Sequence, residues 1–366
     1  MADIALPIYK QRRLVPVAFV RAGQGNPTLF HPALDDRGYT GAEHGPIIGV
    51  FQGDTVFVRL QRLRLDPGAD VYVTSDNPVA ASIVYPLGGK LDHGAEADFQ
   101  IKGLIGGMPQ PVKIFARFGS ATGPIIGRML AWVLLPLTLR ITPHVAAIAS
   151  ATGAAVSSSI AIADLMDHVR AIWRPCGIEF VVNATVRDAY RFANPGRVAV
   201  AELGSLLGHS YARGTINVHL VNCIDVPANP GLLGLGLNRA FVTANRLPRP
   251  GIILADTNLN GSNRAADAMW LGNDLAHEIG HFLRLEHPEK KQPPNECKDF
   301  WSRRMLMHNF NLQAPSRDWR DQFGYGSSGG DIRRGCMITM KNLAQLTTDG
   351  ECKTARDTVI SPAGPY

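Results

Sequence analysis

The spacing of apolar residues changes once along this 366-residue chain, and that change constrains the fold more than any other feature. From about residue 49 to residue 142, short runs rich in β-branched and aromatic residues alternate with turn residues, as in GVFQGDTVFVRLQRL, ADFQIKGLI and PVKIFARFG. Turns at intervals of roughly 8–12 residues are typical of a β-sandwich. We therefore predict an N-terminal, all-β, immunoglobulin-like sandwich over residues 1–142.

The pattern after about residue 150 combines helices with strands. Segment 163–173 repeats apolar residues at helical spacing, and a proline and a glycine follow it. A long helix is predicted for 264–283, although Gly272 weakens its middle, and a last helix is predicted for 335–346. Three β-rich runs are predicted strands: 178–182, 216–223 and 251–255. Helices and strands together favour an α+β domain over residues 150–366.

The composition suits a folded chain and gives no sign of a nucleic-acid partner. Hydrophobic residues make up 45% of the sequence and charged residues 19%, which argues against wholesale disorder. The net charge is +6, but no run of Lys and Arg is interleaved with aromatic residues. We therefore interpret the basic balance as a solvated surface and expect no binding to nucleic acid.

The cysteines lie only in the later part of the chain. All five follow residue 175, and none forms a C-x-x-C pair. An odd number leaves at least one thiol unpaired unless it bridges two chains. Two states remain open: one or two disulfides, such as among Cys297, Cys336 and Cys352, or buried reduced thiols.

No segment of the sequence indicates stable insertion into a membrane. The N-terminus has no clean apolar region followed by a small-residue cleavage site, so we expect no Sec signal peptide. The most apolar stretch, Met129–Leu139, is too short to cross a bilayer as a helix. Export by a non-Sec route, as a secreted effector or toxin, is our hypothesis for localisation, and a cytoplasmic protein is the alternative.

The segment AHEIGHFLRLEH carries the strongest chemical signal in the chain. It contains His277-Glu278-x-x-His281 and a further histidine, His287. Residues four apart on a helix share a face, so the first two imidazoles can present nitrogen to one zinc ion. Glu278 lies beside the first ligand, where it can hold a water without ligating the metal. The alternative is three surface histidines on an amphipathic helix.

The spacing H-E-x-x-H-x-x-x-x-x-H resembles the metzincin clan of zinc metallopeptidases. The resemblance implies one catalytic Zn²⁺ ion, held by His277, His281 and His287, with Glu278 as the general base. It covers about residues 150–350, and the N-terminal β domain has no part in it. The order of elements is also similar to that family: a helix, strands, an active-site helix and a C-terminal helix.

The resemblance also implies a methionine-containing turn beneath the metal. Met307, within RRMLMHNF, is our choice for this Met-turn, and Met305 is the rival. An ordinary core methionine is the alternative for either, because methionine commonly fills gaps in cores.

The sequence departs from the family pattern at two positions. Arg284 stands where the family has a glycine that lets the chain turn towards the third ligand, a conformation costly for a residue with a Cβ atom. The third ligand is therefore His287 or one of four acidic alternatives: Glu286, Glu289, Glu296 and Asp299. Some members carry a tyrosine two residues after the methionine of the turn, and that position is Asn309 here, or Met307 if Met305 forms the turn. The sequence therefore names no side chain that stabilises the oxyanion.

The expected function is that of a zinc metalloendopeptidase acting on a protein or peptide substrate. In the resembling family an edge strand above the site pairs with an extended peptide, and segment 234–243 is the candidate here. A protein for delivery or inhibition is a further expected partner. A basic pocket lined by Arg303, Arg304 and His308 is a further hypothesis.

Two other functions stay open at this point. One is another zincin-type amide hydrolase with a non-histidine third ligand or a non-peptide substrate. The other is a binding protein whose β domain acts and whose zinc domain is structural. A structural zinc site needs no general base, so Glu278 argues against the second alternative.

Overall fold

The computed structural model describes residues 16–21, 45–146, 148–149, 155–156, 158–188, 190, 197–227, 232–257, 268–287, 307, 350–361 and 365–366. They belong to two compact units. The first comprises Met1–Leu137, Ala171–Ile178 and Met337–Lys353, and the second comprises Thr138–Arg170, Glu179–Cys336 and Thr354–Tyr366. The expected order, an N-terminal β domain followed by a mixed α/β domain, is confirmed.

In the described part of the first unit there are eight strands: β1 Val17–Arg21, β2 Ile47–Phe51, β3 Thr55–Arg62, β4 Val71–Ser75, β5 Ala81–Tyr85, β6 Glu96–Gly103, β7 Val112–Phe118 and β8 Ile125–Leu134. They make two four-stranded sheets, with orders β1-β3-β6-β5 and β2-β8-β7-β4. All pairs are antiparallel except β2 with β8. These orders resemble those of the immunoglobulin type, in which strands A, B, E and D form one sheet and strands G, F and C form the other. In this comparison β1 and β2 take the places of the two halves of strand A.

Alternating burial explains why these strands form a sandwich. In β6 the inward residues are Ala97, Phe99 and Ile101, while the residues between them are more exposed. One hydrophobic cluster contains residues of both sheets, and the Phe19 and Phe99 rings meet edge to face at 5.9 Å. Burial of one face of each sheet therefore supplies the core of this unit.

Within the residues described for the second unit, the strands form one seven-stranded sheet and a two-stranded ribbon. The sheet strands are β9 Leu137–Ala146, β12 Ile178–Val182, β13 Val186–Asp188, β14 Arg197–Ala199, β15 Ile216–Asp225, β16 Gly234–Leu237 and β17 Gly251–Thr257. Its main order is β12-β9-β15-β17-β16, with β13 on β9 and β14 on β15. The ribbon pairs β10 Ile148–Ala149 with β11 Ala155–Val156. The pairs β9–β15 and β15–β17 are parallel, and only two residues of β15 are not fully buried.

The second sheet begins earlier in the chain than the sequence pattern indicated. β9 pairs with β15 over Ile141–Val145, and it follows β8 after only two residues. The apolar run that contains both strands is continuous, so its composition does not reveal that the chain passes from one sheet to another. The first segment of the first unit ends at Leu137.

The helices seen among the described residues are α1 Ile162–Trp173, α2 Leu203–Gly208, α3 Arg239–Ala244, α4 Ala268–Phe282 and α5 Glu351–Ile360. Short 3-10 turns span Leu87–Gly89, Arg174–Cys176 and Val200–Glu202. The predicted helix 163–173 is confirmed as α1, which ends before Gly177 at φ 66°. Within α4, Gly272 allows close packing on α1, because a Cβ atom there would lie 2.8 Å from the Cβ of His168.

Some expectations lie outside the described residues. These are the start of the long predicted helix, the predicted helix 335–346, and Cys297 with Cys336. The described thiols Cys176, Cys223 and Cys352 are buried and not disulfide-bonded. Within the ranges that the structure describes, no helix is both long and apolar enough to cross a membrane.

Candidate metal centre

The helix α4 presents two histidines on one side. His277 and Glu278 are buried, and His281 is half-buried one turn later. The two imidazole rings meet at right angles with 4.7 Å between their centroids. The four-residue spacing therefore places both rings on a common face, as the sequence predicted.

The turn after α4 has the hydrogen bonds of a Schellman motif. The Leu285 N–H donates to the Gly280 carbonyl at 2.8 Å, and the Arg284 N–H donates to the His281 carbonyl at 3.0 Å. Arg284 has a φ of 68° and is exposed, while Leu285 is buried. A left-handed position of this kind, which glycine adopts most readily, is thus occupied here by an arginine.

This turn brings His287 back to the helix. Its Nε2 atom lies 3.2 Å from Nε2 of His277 and 2.9 Å from Nε2 of His281. The three histidines offer ligand atoms within 4.8 Å of one another and are close enough to bind a metal ion. Glu286 is exposed and is not part of this cluster. The other acidic alternatives, Glu289, Glu296 and Asp299, lie outside the described residues.

Two of the separations between the ring nitrogens can be compared with those at a metal ion. They are 3.2 and 2.9 Å, while zinc–nitrogen bonds of about 2.0–2.1 Å place tetrahedral ligands about 3.3–3.4 Å apart. Nδ1 of His281 lies 3.0 Å from the Leu285 carbonyl oxygen. Because a carbonyl only accepts, Nδ1 carries the proton and the Nε2 lone pair faces the other histidines. The donor set is compatible with zinc.

Glu278 lies beside the cluster and against the strand β16. A Cβ atom built on Gly234 would lie 2.7 Å from Oε1 of Glu278, so the carboxylate packs directly on the strand backbone. Glu278 is not one of the clustered metal-binding groups. This placement is compatible with the expected role of a base that does not ligate the metal, a role that stays a prediction.

Met307 lies beneath the same helix. It is fully buried, and a Cβ atom on Gly280 would overlap its sulfur atom. The absence of a side chain at Gly280 therefore lets this methionine contact α4 next to His281. The rival Met305, and the residues Arg303, Arg304 and His308 of the expected basic pocket, lie outside the described residues. The Met-turn assignment stays a prediction.

The expected edge segment 234–243 is a strand followed by a helix. β16 pairs antiparallel with β17, from Gly234 opposite Leu254 to Leu237 opposite Gly251. Asn238 then caps α3 by accepting the Phe241 N–H at 2.9 Å. Its Nδ2 also donates to the His281 carbonyl at 3.0 Å. Sequence reasoning did not identify Asn238, although the alternation Gly-x-Gly-x-Asn was a signal for it.

Buried polar residues on β9 and β15 were also missed. His144 Nε2 and Asn217 Oδ1 lie 2.8 Å apart, and the His144 and His219 rings stack at 4.7 Å. Burial, together with the neighbouring His144 and His209 rings, lowers the pKa of His219 to about 3. By strand register, His219 shares its face of the sheet with Leu235, opposite to the face that Gly234 turns to α4.

Comparison of the chain with protein-family models and with curated proteins gives no match. The class of site is therefore defined by the structure alone. It is a three-histidine cluster, carried by one helix and the turn that follows it, that is close enough to hold a metal ion.

Proposed function

We propose that this chain is a zinc-dependent metallopeptidase of the metzincin type, with His277, His281 and His287 as the metal ligands. The observation that carries the proposal is the convergence of three Nε2 atoms, one of them from beyond the helix. Three surface histidines on a solvated helix would have no reason to converge, and His277 is buried.

Glu278 is the proposed proton carrier. A zinc ion held by three neutral imidazoles would keep its full charge, polarise a carbonyl and lower the pKa of bound water. Glu278 would then accept the proton of the attacking water and deliver it to the leaving amine. Two observations support this role: Glu278 is buried beside His277, and it is not one of the clustered metal-binding groups.

The proposed substrate is an extended peptide that pairs with β16. This strand ends the sheet, and among the described residues it has a strand partner on one side only, β17. Because Glu278 packs against Gly234, a peptide added alongside β16 would run close to the general base. The main chain of the substrate, rather than one side chain, would then supply much of the binding.

The proposal is tested with Glu278→Gln and His277→Ala. We expect Glu278→Gln to retain zinc and lose hydrolysis of a denatured protein mixture by a factor on the order of 10²–10⁴, because only the proton carrier is removed. His277→Ala should lose both zinc and activity. Wild-type protein that carries zinc but cleaves no peptide bond would contradict the peptidase assignment. Full activity in Glu278→Gln would contradict the mechanism.

A further inference from the structure

Every second residue along β16 and just beyond it meets the helix α4. Gly234, Gly236 and Asn238 contact the helix at Glu278 and His281. The two leucines between them belong to hydrophobic clusters of the second unit. Such alternation is the ordinary consequence of a strand presenting successive side chains to opposite faces. We name the three residues the G-x-G-x-N strip.

Gly234 meets the side chain of the proposed general base. A Cβ atom at this position would lie 2.6 Å from Cγ and 2.7 Å from Oε1 of Glu278. These distances are shorter than nonbonded carbon contacts allow, and Cγ is not the free end of the side chain. Any residue other than glycine would therefore displace the carboxylate.

Gly236 meets the helix backbone at the second proposed ligand. A Cβ atom there would overlap the Glu278 carbonyl oxygen and lie 2.8 Å from Cβ of His281. A backbone cannot move aside as a side-chain end can, so a larger residue would separate the strand from the helix. Gly236 thus sets the distance between β16 and the metal-binding face.

Asn238 joins the same helix through a hydrogen bond. Its amide group donates to the His281 carbonyl at 3.0 Å while its oxygen caps α3. The same carbonyl accepts the Arg284 N–H of the turn at 3.0 Å. The backbone of His281 is therefore held both by the turn that leads to His287 and by the strip.

We propose that the G-x-G-x-N strip is the positioning element of the metal centre, in which Gly234 places the Glu278 carboxylate while Gly236 and Asn238 hold His281. The inference rests on the proposed zinc function and adds three positioning residues to it. They act through the proposed ligand His281, whose orientation affects metal affinity, and through the proposed base Glu278, whose orientation affects turnover.

If Asn238 had only a structural role, its replacement would change the stability of the protein without changing its affinity for zinc. Asn238→Ser therefore distinguishes a structural role from a positioning role. Serine is a good N-cap and keeps the cap of α3, but its hydroxyl does not extend to the His281 carbonyl. Asn245→Ser is the matched control, because Asn245 also donates its Nδ2 to a backbone carbonyl, that of Phe241 at the other end of α3. Zinc dissociation constants are measured on metal-free, folded protein by competition with a chromophoric chelator.

We expect Asn238→Ser to weaken zinc binding about tenfold, at the lower end of the effects of lost outer-shell partners. Asn245→Ser should bind zinc as the wild type does. Equal affinity in both variants and the wild type would overturn the role of Asn238. A wild type that binds no zinc would overturn the proposed function, and the positioning role with it.

Gly234→Ala tests the other end of the strip. We expect its zinc affinity to match the wild type, while kcat falls by a factor on the order of 100 and KM stays within about twofold. Gly204→Ala is the control, because a Cβ atom there would meet its nearest neighbour at an ordinary 3.7 Å. Unchanged kcat in Gly234→Ala, or an equal loss in Gly204→Ala, would overturn the placement of Glu278 by Gly234.

Discussion

Replacement of Arg284 by glycine should stabilise the protein and leave the metal centre intact. Arg284 has a φ of 68°, a left-handed conformation that costs a residue with a Cβ atom about 1–2 kcal/mol. Glycine removes this cost but gives the unfolded chain additional freedom worth about 0.4–1 kcal/mol. The net gain is on the order of 0.5–1 kcal/mol. For a unit of this size that is a rise in Tm of about 1–4 °C.

Thermal unfolding of the zinc-free and zinc-loaded forms measures this gain. Arg213→Gly is the matched control, because Arg213 is exposed and does not have a positive φ. Its replacement should lower Tm, since only the entropy of the unfolded chain changes. A fall in Tm for Arg284→Gly, or a loss of bound zinc, would refute the argument that the turn favours glycine and that the Arg284 side chain has no part in presenting His287.

Three further predictions concern buried residues of the second unit. His219 has a pKa of about 3 in the folded protein, below the usual value of 6.5. Between these two pH values the unfolded chain therefore binds more protons than the folded protein, and the free energy of unfolding decreases as the pH falls from 6.5 to 3. Urea unfolding at pH 7 and pH 5 should show a loss of about 2 kcal/mol that His219→Leu lacks; equal losses in both proteins would contradict this. Gly280→Ala should cost about 1–3 kcal/mol in the same assay, because the methyl group would overlap the Met307 sulfur; an unchanged midpoint would be contrary evidence. Asp256→Ala should lower the free energy of unfolding by at least about 2 kcal/mol, because the buried carboxylate accepts hydrogen bonds from the Ser158 hydroxyl and from the backbone N–H and hydroxyl of Ser159. A variant as stable as the wild type would contradict this prediction.

The parts of the site that sequence could predict depend on short-range geometry. The spacing of His277 and His281 places them on one helix face whatever surrounds the helix. The position of His287 depends on one tight turn, and the structure forms that turn despite Arg284. A backbone conformation of this kind is decided by tertiary packing, here the burial of Leu285, and so the sequence left four acidic alternatives open.

The parts that sequence could not predict depend on contacts between distant segments. Asn238 is 43 residues from His281, and the alternation Gly-x-Gly-x-Asn marks Asn238 without naming His281 as the residue that it bonds. The course of β9 is similar: its apolar residues suit a strand in either unit, and only its pairing with β15 assigns it to the second. In the first unit, by contrast, regular alternation and turns were enough to predict the sandwich.

Zinc stoichiometry, measured by elemental analysis of the wild type and of His287→Ala, decides whether the three histidines form a zinc site. We expect one zinc ion per wild-type chain and its loss in His287→Ala, together with the loss of proteolysis. A His287→Ala protein that keeps its full zinc content would contradict the three-histidine site, and a wild type without zinc would contradict the metallopeptidase assignment as a whole.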